Sequence, residues 1–449
     1  MRDVKEYEKR FKTSKILFED AKGYLPAGVN STARAVWSGW EPYPIFVERG
    51  EGPYIVDVDG NEFIDYLLGL GPMMLGHRPA VVTDAVIKHI SEVGTSFALA
   101  SKQDIEAARK ITECVPSLER VRLVNSGTEA VLYALRLART FTRREKVVRF
   151  EGMYHGFSDA IYWSKHPSED AVDSDGNCVP EAQGPGLPGG IADTLIICGW
   201  NDAETLERII ESQHKDIAAV ITEPIMCNTG CILPEPGYLE KMRALTEKYG
   251  IILIMDEVIT GFRVSLSGAQ GYYNIKPDLS VFAKAMGGGF PVAALGGKKE
   301  IMDLADNGIV SIAGTYSGNG IALSAVSATI DYLKTPGRYE DFYKKSKKLM
   351  DGISDLWKKS KVEAYVEGIG PLFQVWFSGQ PIRNYRDAQK YADKIAFSIW
   401  WEEMLFRGVL FHPHYYENLF VSTAHTDTDI DRTLQVAEEA VFAVEKILL

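Results

Sequence analysis

Short apolar runs alternate with longer segments of helical periodicity through the middle of this 449-residue chain, and no other feature constrains the fold as strongly. Several runs are apolar at consecutive positions, which is typical of strands buried on both faces of a parallel sheet. Helices between such strands, as predicted over Thr128–Arg139 and Tyr238–Tyr249, cover the sheet and define an α/β domain. The predicted strands are Arg120–Asn125, Lys146–Phe150, Thr194–Cys198, Ile217–Thr222, Ile251–Met255 and Leu279–Ala283.

The two ends of the chain have a different character and predict a smaller α+β domain. We expect residues 1–60 and 331–449 to form this domain, and residues 61–330 to form the large one. The small domain is predicted to have antiparallel strands in Tyr365–Phe377 and Gly408–Thr423 around a helix over Arg386–Phe406, followed by a helix over Asp427–Leu449.

One long segment, His166–Gly190, has several Pro and Gly residues and no apolar period. It is therefore predicted to be an irregular excursion, either a functional lid or a surface insertion.

Composition narrows the possible partners. The formal net charge of −12 is the opposite of the basic surface that binding to nucleic acid requires. Five cysteines spread over a long chain fit free thiols in a reducing compartment, and no stretch approaches the roughly 18 apolar residues of a membrane span. We expect a cytoplasmic protein that binds neither nucleic acid nor membrane, and no cysteine or histidine spacing predicts a metal site.

Two charged side chains follow apolar strands at positions where chemistry is plausible. Asp256 follows the run Ile251–Met255, and open α/β folds bind ligands at the carboxyl ends of their strands. Lys284 follows Leu279–Ala283 among apolar neighbours, which lowers an amine's pKa and makes it a nucleophile toward an aldehyde. Taken singly, each residue is better explained structurally, because acids are common at strand ends and a lysine there can extend to solvent.

Three further motifs complete a recognisable set. Ser126, Gly127 and Thr128 join a strand to a helix and can cradle a phosphate, although such residues more often serve only as a helix N-cap. Gly314–Gly320 is another cluster of hydroxyls and glycines, and the aromatic Tyr154 could stack on a flat ring. Together with the lysine and the acid, these motifs supply what pyridoxal phosphate requires of its protein.

With these motifs in place, the chain resembles the class-III, fold-type I pyridoxal-phosphate aminotransferases, and within them it is most similar to the glutamate-1-semialdehyde 2,1-aminomutase branch. The resemblance covers nearly the whole chain. It implies an aspartate aminotransferase-like fold with a mostly parallel seven-stranded sheet, and a homodimer with shared active sites. The matching motifs are Gly28–Ala35, Gly71–His77, Asn125–Ala130, Tyr154–Gly156, Glu223–Pro224, Asp256–Arg263, Ala283–Gly288 and Gly314–Asn319.

The resemblance also implies roles for individual residues. Lys284 would bind the cofactor covalently and shuttle protons, Asp256 would hold the pyridine nitrogen, and Tyr154 would stack on the ring; these are the predicted catalytic residues. The remaining predicted cofactor-binding residues are Ser126, Gly127 and Thr128 at the phosphate, Thr315 from the neighbouring subunit, Val258 on the second ring face, Asn228 at the ring hydroxyl, and His155 and Glu223 within their motifs.

The residues that would choose the substrate match the aminomutase branch only in part. Ser31 and Arg34 match the residues that hold the substrate carboxylate in the aminomutase branch, and Glu417 matches a glutamate of that branch. Leu70 stands where the aminomutases typically carry a tryptophan, and the stretch Ser164–Gly190 does not reproduce their gating loop.

These departures favour an aminotransferase that moves an amino group from an amino acid or amine donor to an oxo-acid, aldehyde or ketone acceptor. The alternative is the intramolecular aminomutase. The aromatic residues Trp37, Trp40 and Tyr43 either line a pocket for a bulky group or serve in packing.

Overall fold

The computed structural model describes residues 4–306 and 308–449. The strands in chain order are β1 (Val47–Glu51), β2 (Tyr54–Asp57), β3 (Glu62–Asp65), β4 (Arg120–Val124), β5 (Lys146–Phe150), β6 (Leu195–Cys198), β7 (Ile217–Thr222), β8 (Ile252–Glu257), β9 (Leu279–Phe282), β10 (Ala293–Gly297), β11 (Tyr365–Ile369), β12 (Leu372–Trp376), β13 (Val409–Leu410) and β14 (Leu419–Phe420).

The α-helices are α1 (Val4–Arg10), α2 (Lys12–Ala21), α3 (Ala80–Glu92), α4 (Lys102–Cys114), α5 (Gly127–Thr142), α6 (Ala203–Gln213), α7 (Tyr238–Lys248), α8 (Gly268–Tyr272), α9 (Lys299–Asp306), α10 (Gly320–Leu333), α11 (Arg338–Lys359), α12 (Tyr385–Tyr391), α13 (Lys394–Phe406) and α14 (Asp427–Leu448). Within the described ranges, no helix is both long enough and apolar enough to cross a membrane.

The central sheet has seven strands in the order β4-β10-β9-β8-β7-β5-β6. All pair in parallel except β10, which lies antiparallel between β4 and β9. The six strands predicted from the apolar runs all belong to this sheet, with ends shifted by no more than two residues. The fold is therefore the predicted α/β, fold-type I architecture with a mostly parallel seven-stranded sheet.

The strand β10 has no counterpart among the predicted strands. Its sequence, AALGG, contains no β-branched residue and two glycines. A Cβ at Gly297 would lie 2.1 Å from the carbonyl oxygen of Asp278, so close backbone approach requires glycine there.

Both chain ends contribute to a second sheet, with the order β1-β2-β3-β13. The prediction of antiparallel strands in Gly408–Thr423 was wrong for its first part, because β13 pairs in parallel with β3. The later part, β14, does pair antiparallel with β12, which forms a hairpin with β11.

The helix predicted over Arg386–Phe406 is two helices, α12 and α13. Asp393 separates them, and its carboxylate accepts hydrogen bonds from the backbone amides of Ile395 and Ala396. An N-cap of this kind starts a new helix instead of continuing the old one. The predicted C-terminal helix is present as α14, and Thr426 and Asp429 form its capping box.

The excursion between β5 and β6 lacks regular strands but is tied down. The hydroxyl of Tyr385 donates to the carbonyl of Pro167 at 2.9 Å, and Nη1 of Arg386 donates to the carbonyl of Ser168 at 2.7 Å. Arg386 also binds the buried carboxylate of Glu151, with Nε 2.9 and 3.0 Å from its two oxygens. The start of the excursion is therefore docked on α12.

The three N-terminal aromatic residues serve mainly in packing. Trp40 and Tyr43 are buried in the core, whereas Trp37 is exposed on the surface. The Nε1 of Trp40 donates to the carbonyl of Ala33 at 3.1 Å. Of the two roles considered for these residues, packing describes the buried pair.

Candidate active site

A cavity of about 200 Å³ lies at the carboxyl ends of the central strands. The segments that follow β4, β5, β7, β8 and β9 all meet at this edge of the sheet, as open α/β topology requires. Its wall is formed by Gly127, Thr128, Val131, Tyr154, His155, Gly156, Glu223, Ile225, Cys227, Asn228, Asp256, Val258, Ile259, Thr260, Ala283 and Lys284.

Asp256, near the end of β8, is a buried carboxylate with fixed partners. Its Oδ2 lies 2.7 Å from Nδ1 of His155, and its Oδ1 accepts a hydrogen bond of 3.0 Å from the amide of Val258. Because an ionised carboxylate only accepts hydrogen bonds, Nδ1 of His155 carries the proton. The acid is therefore held in one orientation at the cavity wall.

Glu257, the next residue, points to other partners. Its carboxylate accepts hydrogen bonds from the amides of Ala269 and Gln270 at 2.9 and 2.7 Å, and from the hydroxyl of Thr260. Burial raises its pKa. Glu257 therefore stabilises the start of α8 and does not reach the cavity.

Glu223 organises the loops on one side of the cavity. Its Oε1 accepts hydrogen bonds from the amide of Tyr154 at 2.9 Å and from Nδ2 of Asn228 at 2.7 Å, and its Oε2 accepts one from the amide of Cys227 at 2.6 Å. Burial raises the pKa of Glu223. Glu223 therefore fixes the backbone of Tyr154 and the side-chain amide of Asn228.

Lys284 begins a short 3-10 turn directly after β9 and has a positive φ of 41°. Burial lowers the pKa of its amine, and the nearby Arg263 cation adds to this lowering, whereas the carboxylate of Glu417 opposes it. A larger fraction of neutral amine is available at a given pH than in water, and the neutral amine is the nucleophilic form.

The N-terminus of α5 forms another part of the wall. Ser126 is the N-cap, and its hydroxyl accepts a hydrogen bond from the amide of Glu129. The first amides of the helix, at Gly127 and Thr128, have no helical acceptor and favour an anion. A Cβ at Gly127 would lie 3.0 Å from Cγ2 of Val258, so glycine lets the helix end approach that side chain.

Six predicted site residues lie outside the cavity wall, namely Ser126, which caps α5, and the five described next. Ser31 and Arg34 are exposed, Leu70 lies in a turn with positive φ, and Glu417 is half-buried near Lys284. Thr315 is exposed and lines a different, open cavity together with Phe97, Leu99 and the loop 312–318. Their roles stay predictions.

Two buried arginines support the site and were not predicted. Arg149 donates to the backbone carbonyls of Ile161 and Met153 on either side of Tyr154, and Arg263 donates to the carbonyls of Ile259 and Gly71. Burial lowers the pKa of Arg149 to about 9 and that of Arg263 to about 10. Arg263 could have been predicted, because it belongs to the matching motif Asp256–Arg263. Arg149 lies within the strand Lys146–Phe150, where no motif pointed to it.

The fold and the cavity define a fold-type I enzyme of the pyridoxal-phosphate class. Its members carry a lysine and an acid at neighbouring strand ends beside a phosphate-binding helix. The family model for class-III aminotransferases matches residues 36–418, and the chain belongs to this family.

Relatives of known name extend the match to nearly the full length. The chain is 44% identical to glutamate-1-semialdehyde 2,1-aminomutase from Desulforudis audaxviator, covering 94% of this chain and 96% of that protein. It is also 44% identical to glutamate-1-semialdehyde 2,1-aminomutase 2 from Brevibacillus brevis, covering 94% and 97%. Among solved structures, an omega-transaminase from Sphaerobacter thermophilus is 31% identical with a TM-score of 0.90, covering 96% and 97%.

The cofactor of this family is pyridoxal 5′-phosphate, and the cavity fits it. An amine with a lowered pKa suits the aldehyde, a buried carboxylate suits the ring nitrogen, and free helix amides suit the phosphate. The other ring nitrogen of His155, Nε2, is buried without a hydrogen-bond partner in the described part of the chain. It is therefore free to bind a polar atom of a ligand or a water molecule.

Proposed function

We propose that this protein moves an amino group within a single small substrate, as a glutamate-1-semialdehyde 2,1-aminomutase. The observation that carries the proposal is the placement of Lys284 and Asp256 in one cavity of a chain that resembles relatives of that name over nearly its full length. Of the two hypotheses drawn from the sequence, the relatives' names support this alternative more than the two-substrate aminotransferase.

Lys284, Asp256 and His155 would each have a separate role in the reaction. Lys284 would hold the cofactor and move a proton to and from the substrate carbon, since its amine is buried and its pKa is lowered. Asp256 would bind the protonated ring nitrogen, and His155 would keep that carboxylate in place. The bound cofactor supplies an aldehyde for the amine and an electron sink for the carbanion.

The rest of the wall would hold the cofactor in place. The amides at Gly127 and Thr128, with the hydroxyls of Ser126 and Thr128, would bind the phosphate. Tyr154 and Val258 would contact the two ring faces, and Asn228, oriented by Glu223, would reach the ring hydroxyl.

The segment between α2 and β1, which carries Ser31 and Arg34, would recognise the substrate. The carbonyl of Ala33 accepts a hydrogen bond from Trp40 and lies 3.3 Å from Nε2 of His412, which ties the segment of Ser31 and Arg34 to the neighbourhood of Glu417. The planar guanidinium of Arg34 suits a carboxylate. With Arg34 in this role, the substrate would carry a carboxylate.

The second candidate is a two-substrate aminotransferase. It is favoured by Leu70, which replaces the tryptophan typical of aminomutases, and by the excursion 164–190, which differs from their gating loop. An aminomutase must retain its intermediate between two half-reactions, and a different lid alters that retention.

A homodimer is part of the proposal. Thr315 would complete the phosphate site of a second copy, because it lies on an exposed loop away from its own cavity, beside the exposed Phe97 and Leu99. Light scattering on the purified protein tests the dimer. Thr315→Ala is expected to weaken cofactor binding severalfold without changing the fold.

The deciding experiment supplies the holoenzyme with glutamate-1-semialdehyde and no other substrate. Formation of 5-amino-4-oxopentanoate, absent from Lys284→Ala, supports the aminomutase. If amino donors instead release oxo acid in amounts equal to the enzyme and turnover needs an added acceptor, the aminotransferase is correct and the aminomutase is excluded.

A further inference from the structure

Lys165 lies in the excursion between β5 and β6, beside a residue of the cavity wall. Its Nζ is 5.1 Å from the centre of the Tyr154 ring. The ring of Tyr154 belongs to the cavity wall, with Asp256 and Lys284. A cation on this ring is therefore next to the place where a substrate must sit.

The position of Lys165 is fixed by the residues that follow it. Pro167 and Ser168 are bound through their carbonyls by Tyr385 and Arg386. Arg386 is in turn held by the buried Glu151. The lysine is thus presented by a docked segment and not by a free loop.

Among the described residues, no carboxylate pairs with Lys165. It is half-buried, and no ion pair joins its Nζ to a carboxylate of the described residues. The Glu417 carboxylate raises the pKa of the neighbouring His412 and His414, but it forms no ion pair with Lys165. A cation that is partly removed from water and held only by an aromatic face gains from an anion.

The surrounding histidines do not supply competing charge at neutral pH. Burial lowers the pKa of His166 to about 3 and that of His414 to about 4, and the Lys165 cation adds to both shifts. Burial also lowers the pKa of His412. The positive charge beside these histidines therefore comes from lysines, Lys165 on the side of Tyr154 and the exposed Lys394 on the side of Tyr415.

Two separate parts of the chain converge on the same cluster. Nε2 of His412 lies 3.3 Å from the carbonyl of Ala33, in the segment that carries Arg34. The ring of His166, the residue after Lys165, lies 6.2 Å from the ring of His414, whose backbone amide donates to Nδ1 of His412 at 3.0 Å. The segment that carries Arg34 and the excursion that carries Lys165 therefore both contact residues 412–414.

We propose that Lys165 is a specificity-determining residue that binds a carboxylate of the substrate, together with Arg34. This inference rests on the proposed function, since it names how the same site selects an acid-bearing substrate. It makes the excursion 164–190 part of substrate recognition.

The test measures binding of two probes by calorimetry to the holoenzyme loaded with pyridoxal phosphate, which has no amino group to transfer to a ketone. 4-Oxopentanoate carries a carboxylate and lacks an amine, and 4-oxopentanamide is its neutral counterpart. Lys165→Met is expected to weaken binding of the oxo acid about tenfold or more and to leave the amide unchanged. Lys165→Arg, which keeps the charge, is expected to retain most of the preference for the acid.

The matched control is Lys394→Met. Lys394 lies 5.5 Å from the centre of the Tyr415 ring and affects His414, but it is exposed on α13. This variant is expected to bind both probes as the unaltered protein does. Lys165→Gln is measured in parallel, so that the test does not depend on one variant folding.

Equal weakening of both probes by Lys165→Met and Lys165→Gln would show a packing role and overturn the inference, and so would unchanged binding of the oxo acid. The proposed function fails separately, if glutamate-1-semialdehyde is not converted by the unaltered holoenzyme. Selective loss of oxo-acid binding in that case would still support carboxylate recognition by Lys165.

Discussion

The imidazole of His155 donates a hydrogen bond from Nδ1 to Oδ2 of Asp256 at 2.7 Å, and both side chains are almost completely buried. The pair joins the loop after β5 to the end of β8, two strands away in the sheet. A buried carboxylate needs such a partner, because burial without one is costly. The same contact fixes the acid that would face the cofactor's ring nitrogen.

Asp256→Asn is expected to lower turnover by at least about thirtyfold, because removing one member of a buried charged contact costs roughly 2–5 kcal/mol. The neutral amide also cannot stabilise a protonated ring nitrogen. Steady-state kinetics and titration with pyridoxal phosphate measure the effect. Asp216→Asn, at an exposed position, serves as the control, and equal activity of the two variants would contradict the role of Asp256.

Glu417→Gln is expected to move cofactor attachment to lower pH. Burial lowers the pKa of Lys284, and the Glu417 carboxylate opposes that change by favouring the charged amine. Without the carboxylate the pKa falls further, so the neutral, reactive amine persists at lower pH. The measurement is the rate at which the apoprotein binds pyridoxal phosphate, followed by absorbance from pH 6 upward.

A shift of that pH profile to higher pH in Glu417→Gln would contradict the electrostatic relationship. The exposed Glu438 provides the matched control, because Glu438→Gln removes the same charge from the surface of α14. Its profile is expected to coincide with that of the unaltered protein.

Arg386→Ala is expected to destabilise the protein by about 2–4 kcal/mol, since it leaves the buried Glu151 carboxylate without its cation. It also releases the carbonyl of Ser168, so cleavage within residues 164–190 by a protease should become faster. Denaturant unfolding and limited proteolysis measure the two effects.

Arg383→Ala is the comparison for that variant. Arg383 forms an exposed ion pair of 3.6 Å with Glu235, which contributes less than about 1 kcal/mol. Similar losses of stability in both variants would show that the burial of Glu151 does not determine the effect.

Gly156→Ala is expected to weaken cofactor binding. Gly156 has a φ of 95°, and a Cβ there would lie 2.6 Å from Oγ1 and 2.8 Å from Cα of Thr128. The substitution costs about 1–3 kcal/mol in backbone strain and forces the Tyr154 loop away from the start of α5. Equilibrium titration with pyridoxal phosphate should give an affinity reduced roughly tenfold. Gly189→Ala, where a Cβ meets open space, is expected to bind normally.

Much of the central sheet was predictable from the sequence, because strands buried on both faces must be apolar at nearly every position. The run Ile217–Thr222 shows this directly, since all six residues are buried. β10 was not predictable, because its Ala and Gly residues carry no strand preference and are selected by neighbouring backbone atoms.

The helix and strand limits in the small domain were less accurate. Pairing of β13 with β3 joins residues that are more than 340 positions apart, and two residues contain no pattern that specifies a parallel neighbour. The break between α12 and α13 depends on a single aspartate cap within an otherwise helical segment.

At the site, the order of residues along the chain was enough to predict which residue types follow which strands. Asp256, Lys284 and the Ser126–Thr128 turn were identifiable because parallel strands present their carboxyl ends at one edge. The partners of those residues became visible in the folded molecule and not before. The contacts of His155 with Asp256 and of Glu417 with Lys284 join separate parts of the chain, and Lys165 reaches the Tyr154 ring from a later part of the same loop. Local pattern records the periodicity of a single element, whereas these contacts are set by how loops from different strands pack against one another.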